Sequence, residues 1–172
     1  MRRLTAALAL LAFVMLAPVG CRRKKKGRNR EDGLASVINV ADPADSAQIV
    51  RGFSNVEADA WRWSASKFSV VLRPPPGASQ NGAKLELHFT LNDVVVGKLG
   101  PVTVSAIVNG TPIASETFSQ PGDSVYSHEV PATALGSDVV TVEFSTDKAL
   151  EPTDKDKREL ALIVKTIGLV PK

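Results

Sequence analysis

At 172 residues, 44% of them apolar, the chain has room for one folded domain together with a leader and a linker. Its formal charge of +3 hides a division: residues 1–30 hold nine bases and no acids, so the 12 bases that remain of 21 face 18 acids, and the body carries about −6. The sequence pI of about 9.1 belongs to the front of the chain and does not argue for a body that binds nucleic acid.

The chain opens on Met1-Arg2-Arg3, followed by an unbroken apolar run from Leu4 to Val19. A short charged region before such a run is the architecture of a signal peptide. Gly20-Cys21 comes next, and Cys21 is the only cysteine, so no internal disulfide explains it. The stretch LAPVGC resembles the lipobox of bacterial lipoproteins. That resemblance implies that residues 1–20 are removed, that Cys21 is acylated, and that the body is lipid-anchored at the cell membrane on its extracytoplasmic side, in the periplasm or on the outer surface. The seven bases between Arg22 and Arg30 would add attraction to anionic headgroups, at about 1 kcal/mol each near the surface. An uncleaved anchor is the alternative, because basic residues just past an apolar segment tend to stay cytoplasmic. The run is short for a span, and the small-Cys junction favours cleavage and export. No aromatic residue accompanies the basic stretch, so nucleic acid is not an expected partner.

Asn29 to Ala47 is polar, with only the apolar island VINV, and residues 21–47 read as a tether. Residues 48–172 read as strands. IVRGF, WRWS and FSVVL come first, and KLELHFTL then alternates strictly, with Leu85, Leu87, Phe89 and Leu91 on one face. VTVSAIV runs into Asn109-Gly110, the strongest short hairpin signal, so PIASETF should return antiparallel. SVYSHEV, DVVTVEF and LALIVKTIGL complete a set of about nine strands, with one helical turn at most between Pro131 and Ser137. Short strands separated by turn signals indicate an all-β, antiparallel sandwich.

Within NVEADAWRWS, residues two apart on a strand share a face, so Trp61 and Trp63 point together and Arg62 points away. Trp63 reads as core, whereas Trp61, at the strand's start, is a candidate for exposure at a loop edge. Three segments, GFSNVEADAWRWS, VTVSAIVNGTPI and DKDKRELALIVKTIGLV, together resemble jelly-roll modules found in bacterial lipoproteins and appended to envelope glycosyltransferases. The matching positions are Gly52, Glu57, Trp61, Arg62, Trp63, Ser64, Asn109, Gly110, Asp156, Arg158 and Leu160, with Ala161 standing where the pattern has glycine. The resemblance implies a carbohydrate-binding-like fold in an envelope setting.

Chemistry is sparse. His88 and His128 lack metal-ligand spacing, there is no second cysteine, and no nucleophile elbow or phosphate loop occurs, so no catalytic residue, metal or cofactor is expected. Arginine suits bidentate pairing with carboxylate. Glu57, Arg62, Asp156 and Arg158, each at a position matched by the resemblance, read either as a structural clamp between the front segment and the last loop, which is preferred, or, with Trp61, as a ligand-binding cluster. The expected function is a non-catalytic envelope module, for a glycan or a glycosylated partner. The alternatives are an assembly protein that binds another envelope protein and, more weakly, a small glycan-modifying enzyme.

Overall fold

The computed structural model describes residues 33–172. The leader, Cys21 and the basic run Arg22 to Arg30 lie outside the described residues. Nine strands form: β1 (Val37–Asn39), β2 (Ile49–Glu57), β3 (Trp61–Leu72), β4 (Ala83–Leu91), β5 (Val102–Val108), β6 (Thr111–Phe118), β7 (Gly122–Val130), β8 (Val140–Thr146) and β9 (Ile163–Pro171). They pair in the order β6-β5-β8-β3-β9-β4-β7, with β1 added to β9 and β2 to β3, and each pairing is antiparallel. The sheet folds over as a sandwich because β3 changes partner. Arg62 and Trp63 pair with Val164 and Ile163 of β9, and farther along Lys67 to Leu72 pair with Ser145 to Val140 of β8.

Side-chain alternation fills the space between the layers. Leu85, Leu87, Phe89 and Leu91 of β4 are no more than 1% exposed, as their spacing predicts, and Trp63 belongs to the same core at 8%. From the other layer Phe68 stacks on Phe144 with ring centroids 5.0 Å apart, and Tyr126 of β7 meets Phe144 edge-on at 6.1 Å. The Tyr126 hydroxyl also donates to the Ala114 carbonyl of β6 at 2.5 Å, which ties together the two ends of the strand order. Burial, and behind it the charge of Glu116, pushes the Tyr126 phenol up to about 12.

Asn109 and Gly110 both have positive φ, 47° and 80°, between paired Val108 and Thr111, so the hairpin turn is of the primed type that Asn-Gly favours. Three features depart from expectation. WRWS and FSVVL are one continuous strand. The ninth strand is β1, inside the segment read as tether, where Ile38 and Val40 are wholly buried. Composition misled here because the tie is polar: the buried Gln48 amide accepts from Ala35 N at 2.8 Å and donates to the carbonyls of Ala35 and Val71. The folded body therefore begins ahead of residue 48, and the boundary at 47 falls inside it. Third, the chain contains the short helices α1 (Ala78–Asn81) and α2 (Asp93–Leu99), which no periodicity announced. The turn expected between Pro131 and Ser137 is a 3-10 turn at Ala132–Ala134.

Strand direction gives the sandwich two ends. At one, here called the proline end, stand Gly33 to Ser36, the Pro74-Pro75-Pro76 loop with α1, the Asn-Gly turn and the β7–β8 loop. Around it lies an open cleft of about 750 Å³, lined by Ala35, Val37, Pro75, Leu135 and Ser137 among others. At the opposite end stand the β2–β3 turn, α2 and the long β8–β9 loop.

Gly52 sits at φ +78° where β2 is bulged, and a Cβ there would lie 2.1 Å from the Lys67 carbonyl oxygen and 2.7 Å from Phe68 Cα. Gly52→Ala is expected to cost at least about 2 kcal/mol, through backbone displacement and left-handed strain. Trp63→Ala should cost about 3 to 5 kcal/mol through lost burial and a cavity. Urea unfolding checks both, as a lowered midpoint at unchanged slope.

Candidate functional site

The site is built at the far end from the prolines, on two connections. The first is the β2–β3 turn, where Ala58 and Asp59 both hold positive φ, 50° and 52°, and Ala60 N donates to the Glu57 carbonyl. Left-handed backbone costs a residue with a Cβ of order 1 kcal/mol or more. The turn leaves Glu57 and Trp61 opposite each other in register. The second connection is the β8–β9 loop. Its neck closes by reciprocal backbone bonds between Leu150 and Leu160, and its tip by Thr153, whose N–H donates to the Asp156 carbonyl and whose hydroxyl accepts from Asp156 N.

Arg158 joins the two. Its Nε and one terminal nitrogen donate to the two oxygens of Asp156 at 2.9 and 2.8 Å, and the other terminal nitrogen donates to Glu57 Oε1 at 2.5 Å. The pairing with Arg158, first through its side chain and then through its backbone N–H, pulls the Asp156 carboxyl down from 3.8 to about 2. Reciprocally, Asp156 and then Glu57 push the guanidinium up. At 41%, 37% and 35% exposure these are solvent-screened pairs, which fix a loop more than they stabilise a fold. Behind them lies a depression of about 330 Å³, lined by Arg158, Asp156, Thr153, Glu151 and Lys98 over Leu150 and Leu160.

Three of the residues singled out in the sequence, Glu57, Asp156 and Arg158, thus meet as the expected clamp. Arg62 does not join them. Its part-buried guanidinium lies on the other side of β3 from Trp63, donating to the carbonyls of Val40 at 2.7 Å and Ser54 at 2.9 Å, and so ties the segment after β1 to β2 and β3. Trp61 is half-buried against the core, its ring edge-on to Trp63 with centroids 6.2 Å apart, and it does not line the depression. Sequence reasoning missed Lys98. It stands in the last turn of α2, whose signals are an Asn92 side chain that accepts from Val94 N, Asp93 in the first turn and Gly100 at the end. The run of valines between them masked the helix, since β-branched residues favour strands.

An ionised Asp156 with a carboxyl near 2 is a hydrogen-bond acceptor at neutral pH, not a proton donor. The histidines stand elsewhere, each beside its own carboxylate. His88 is 3.4 Å from Glu86 on the outer face of β4, and His128 is 3.0 Å from Glu116 at the β6–β7 edge. Among the described residues no three His, Cys, Asp or Glu side chains are grouped to hold a metal ion. What the end presents is a fixed set of alternating donors and acceptors.

No family model and no curated protein matches the chain. Solved structures similar to it include a carbohydrate-binding module, CBM36, in complex with calcium and xylotriose. It is 10% identical, with a TM-score of 0.43, and the match covers 77% of this chain and 98% of the module. The mannan-recognising module TmCBM27 is 12% identical with a TM-score of 0.44, covering 79% of this chain and 95% of that one. An acetyl xylan esterase, Est2A, from the rumen bacterium Butyrivibrio proteoclasticus is 14% identical with a TM-score of 0.46, covering 78% of this chain but only 32% of the esterase. Each likeness is one of fold alone. The class reached from this chain's own strands is an antiparallel β-sandwich with a charged clamp at one end.

The depressed Asp156 carboxyl contributes stability that is present in full above its unfolded value of about 3.8 and is lost as pH falls through about 2. The gap in melting temperature between wild type and Asp156→Asn should therefore be constant above pH 5 and close between about pH 4 and 2. Thermal melts of both proteins across that range check the sign.

Proposed function

We propose that this chain is an envelope lipoprotein, anchored through acylated Cys21, whose sandwich is a non-catalytic module that holds a glycan at the clamp end. The observation that carries the reading is Arg158. A guanidinium has five N–H donors, and three side-chain bonds hold this one in place, which leaves two for a ligand on a residue that lines the depression. The Glu151 carboxylate and the Thr153 hydroxyl add acceptors, and Leu150 and Leu160 give an aliphatic floor. Vicinal sugar hydroxyls need donors and acceptors fixed side by side, and a sugar's C–H face packs on apolar carbon. In this reading Trp61, half-buried against the core and outside the lining of the depression, is not the stacking platform.

A second reading, an assembly protein that binds another envelope protein, draws on one observation. Among the described residues β2 pairs only with β3, and its Val50 is 56% exposed, so a strand edge with an apolar side chain stands open to a partner strand.

The test uses the detergent-solubilised full chain on a panel of polysaccharides. Binding of at least one is expected, with Arg158→Ala lowering affinity tenfold or more while the protein stays folded, its melting temperature falling about as far as that of Asp156→Asn. A panel without binders would hand the lead to the protein-partner reading. Cys21→Ser should abolish recovery in the detergent phase, and mass spectrometry of the mature wild-type terminus should find acylated Cys21. An intact leader would refute the lipoprotein reading.

A further inference from the structure

We infer that the sandwich stands upright on the bilayer, with the proline end against anionic headgroups and the clamp end directed away. The inference rests on the anchored reading above and adds to it the face that meets the membrane.

The first argument is length. The basic run ends at Arg30, and only Glu31 and Asp32 separate it from Gly33. Consecutive Cα atoms are 3.8 Å apart, so a basic run held at the headgroups leaves Gly33 within about 11 Å of them. Gly33 enters the fold at the proline end, where Arg73 N donates to the Ala35 carbonyl and Leu169 N to that of Ser36. The 12 residues of β3 run to the opposite end, about 40 Å away at roughly 3.3 Å per residue. A tether that short cannot bring the far end down while the near end is up.

Charge is the second, independent argument. The loops of the clamp end carry eight acids (Glu57, Asp59, Asp93, Asp147, Glu151, Asp154, Asp156 and Glu159) against five bases (Lys98, Lys148, Lys155, Lys157 and Arg158), a net of −3. The proline end carries Asp138, with Glu31 and Asp32 just ahead of Gly33, against Arg73 and Lys172, a net of −1, and Lys172 is paired with Glu129 at 2.8 Å. Most of its exposed loop residues are uncharged, among them Ser79, Gln80, Asn81, Ser137 and Val139 beside Asp138. An anionic surface therefore repels the clamp end more than this one, in the same sense as the tether.

The experiment places a fluorescent label at Ser137→Cys or at Asp154→Cys. Both positions are exposed, and acylation occupies the Cys21 thiol. The lipid-anchored full chain is reconstituted into vesicles of phosphatidylcholine with one third phosphatidylglycerol, carrying a headgroup-level quencher. The label at Ser137 should be quenched several-fold more than that at Asp154. Replacing the seven bases between Arg22 and Arg30 by serine should shrink the difference. Equal quenching, the reverse order, or no quenching of either label on vesicle-bound protein would overturn the upright orientation while leaving anchoring intact. If the mature terminus is not acylated Cys21 and the chain does not float with vesicles, anchoring itself fails and the orientation falls with it.

Discussion

The architecture depends on one edge of one strand. On one side β3 is taken by β2, so both halves of the sandwich must share the other, and they do so in succession. The hand-over lies at Ser64, which is wholly buried: its N–H donates to the Leu162 carbonyl, its carbonyl accepts from Ala161 N, and its hydroxyl accepts from Leu162 N at 3.2 Å. Those bonds satisfy the backbone where β9 ends its contact, and buried polar groups without partners are costly. Three residues later Lys67 opens the pairing with β8. Phe68 then faces Phe144 in the core. The β9-β4-β7 and β8-β5-β6 groups share backbone pairing through this strand, and side chains join them elsewhere: the Tyr126 bond and the His128–Glu116 contact at the far edge, and aromatic packing between the layers.

Much of this was legible where the signal is local. The strict alternation of β4, the run of β5 into Asn109-Gly110 and the burial of Trp63 each depend on neighbours in sequence, and each appears in the fold as read. What escaped depends on distant partners. β1 is only three residues long, and its place comes from pairing with β9, 127 to 131 positions away, and from the Gln48 amide, neither of which leaves a periodic trace. Its fit also needs Gly168, where a Cβ would lie 2.6 Å from Val37 Cγ2. The break between WRWS and FSVVL looked like a strand end because Ser64 and Ser66 are polar. Ser64 is instead the corner at which a single strand changes sheets.

The candidate site was half legible for a related reason. Glu57 and Arg158, 101 residues apart, stood out as positions matched by the jelly-roll resemblance, their opposite charges suggested a pair, and they form one. Arg62 has the same chemistry but belongs to a strand whose alternation sends it to the other side from Trp61 and Trp63, where the Val40 and Ser54 carbonyls take it. Side-chain type gave the kind of partner, and strand geometry decided which partner was reached.

The two ends are held by different forces, and that difference bears on what each can do. At the proline end the chain is fixed by backbone and amide bonds: Gln48 on Ala35 and Val71, the Asn109 side chain between Ala134 and Thr141, and prolines whose φ is preset. Such ties are indifferent to salt and to pH in the ordinary range. At the clamp end a turn with two left-handed, non-glycine residues and a long charged loop meet through one guanidinium that is 41% exposed. Exposed ion pairs weaken with screening and with carboxylate protonation, so the ties of this end depend on salt and on acid. A ligand that replaces water around Arg158 lowers the local dielectric and strengthens the bonds to Asp156 and Glu57. Binding and loop order are then coupled through the same three side chains.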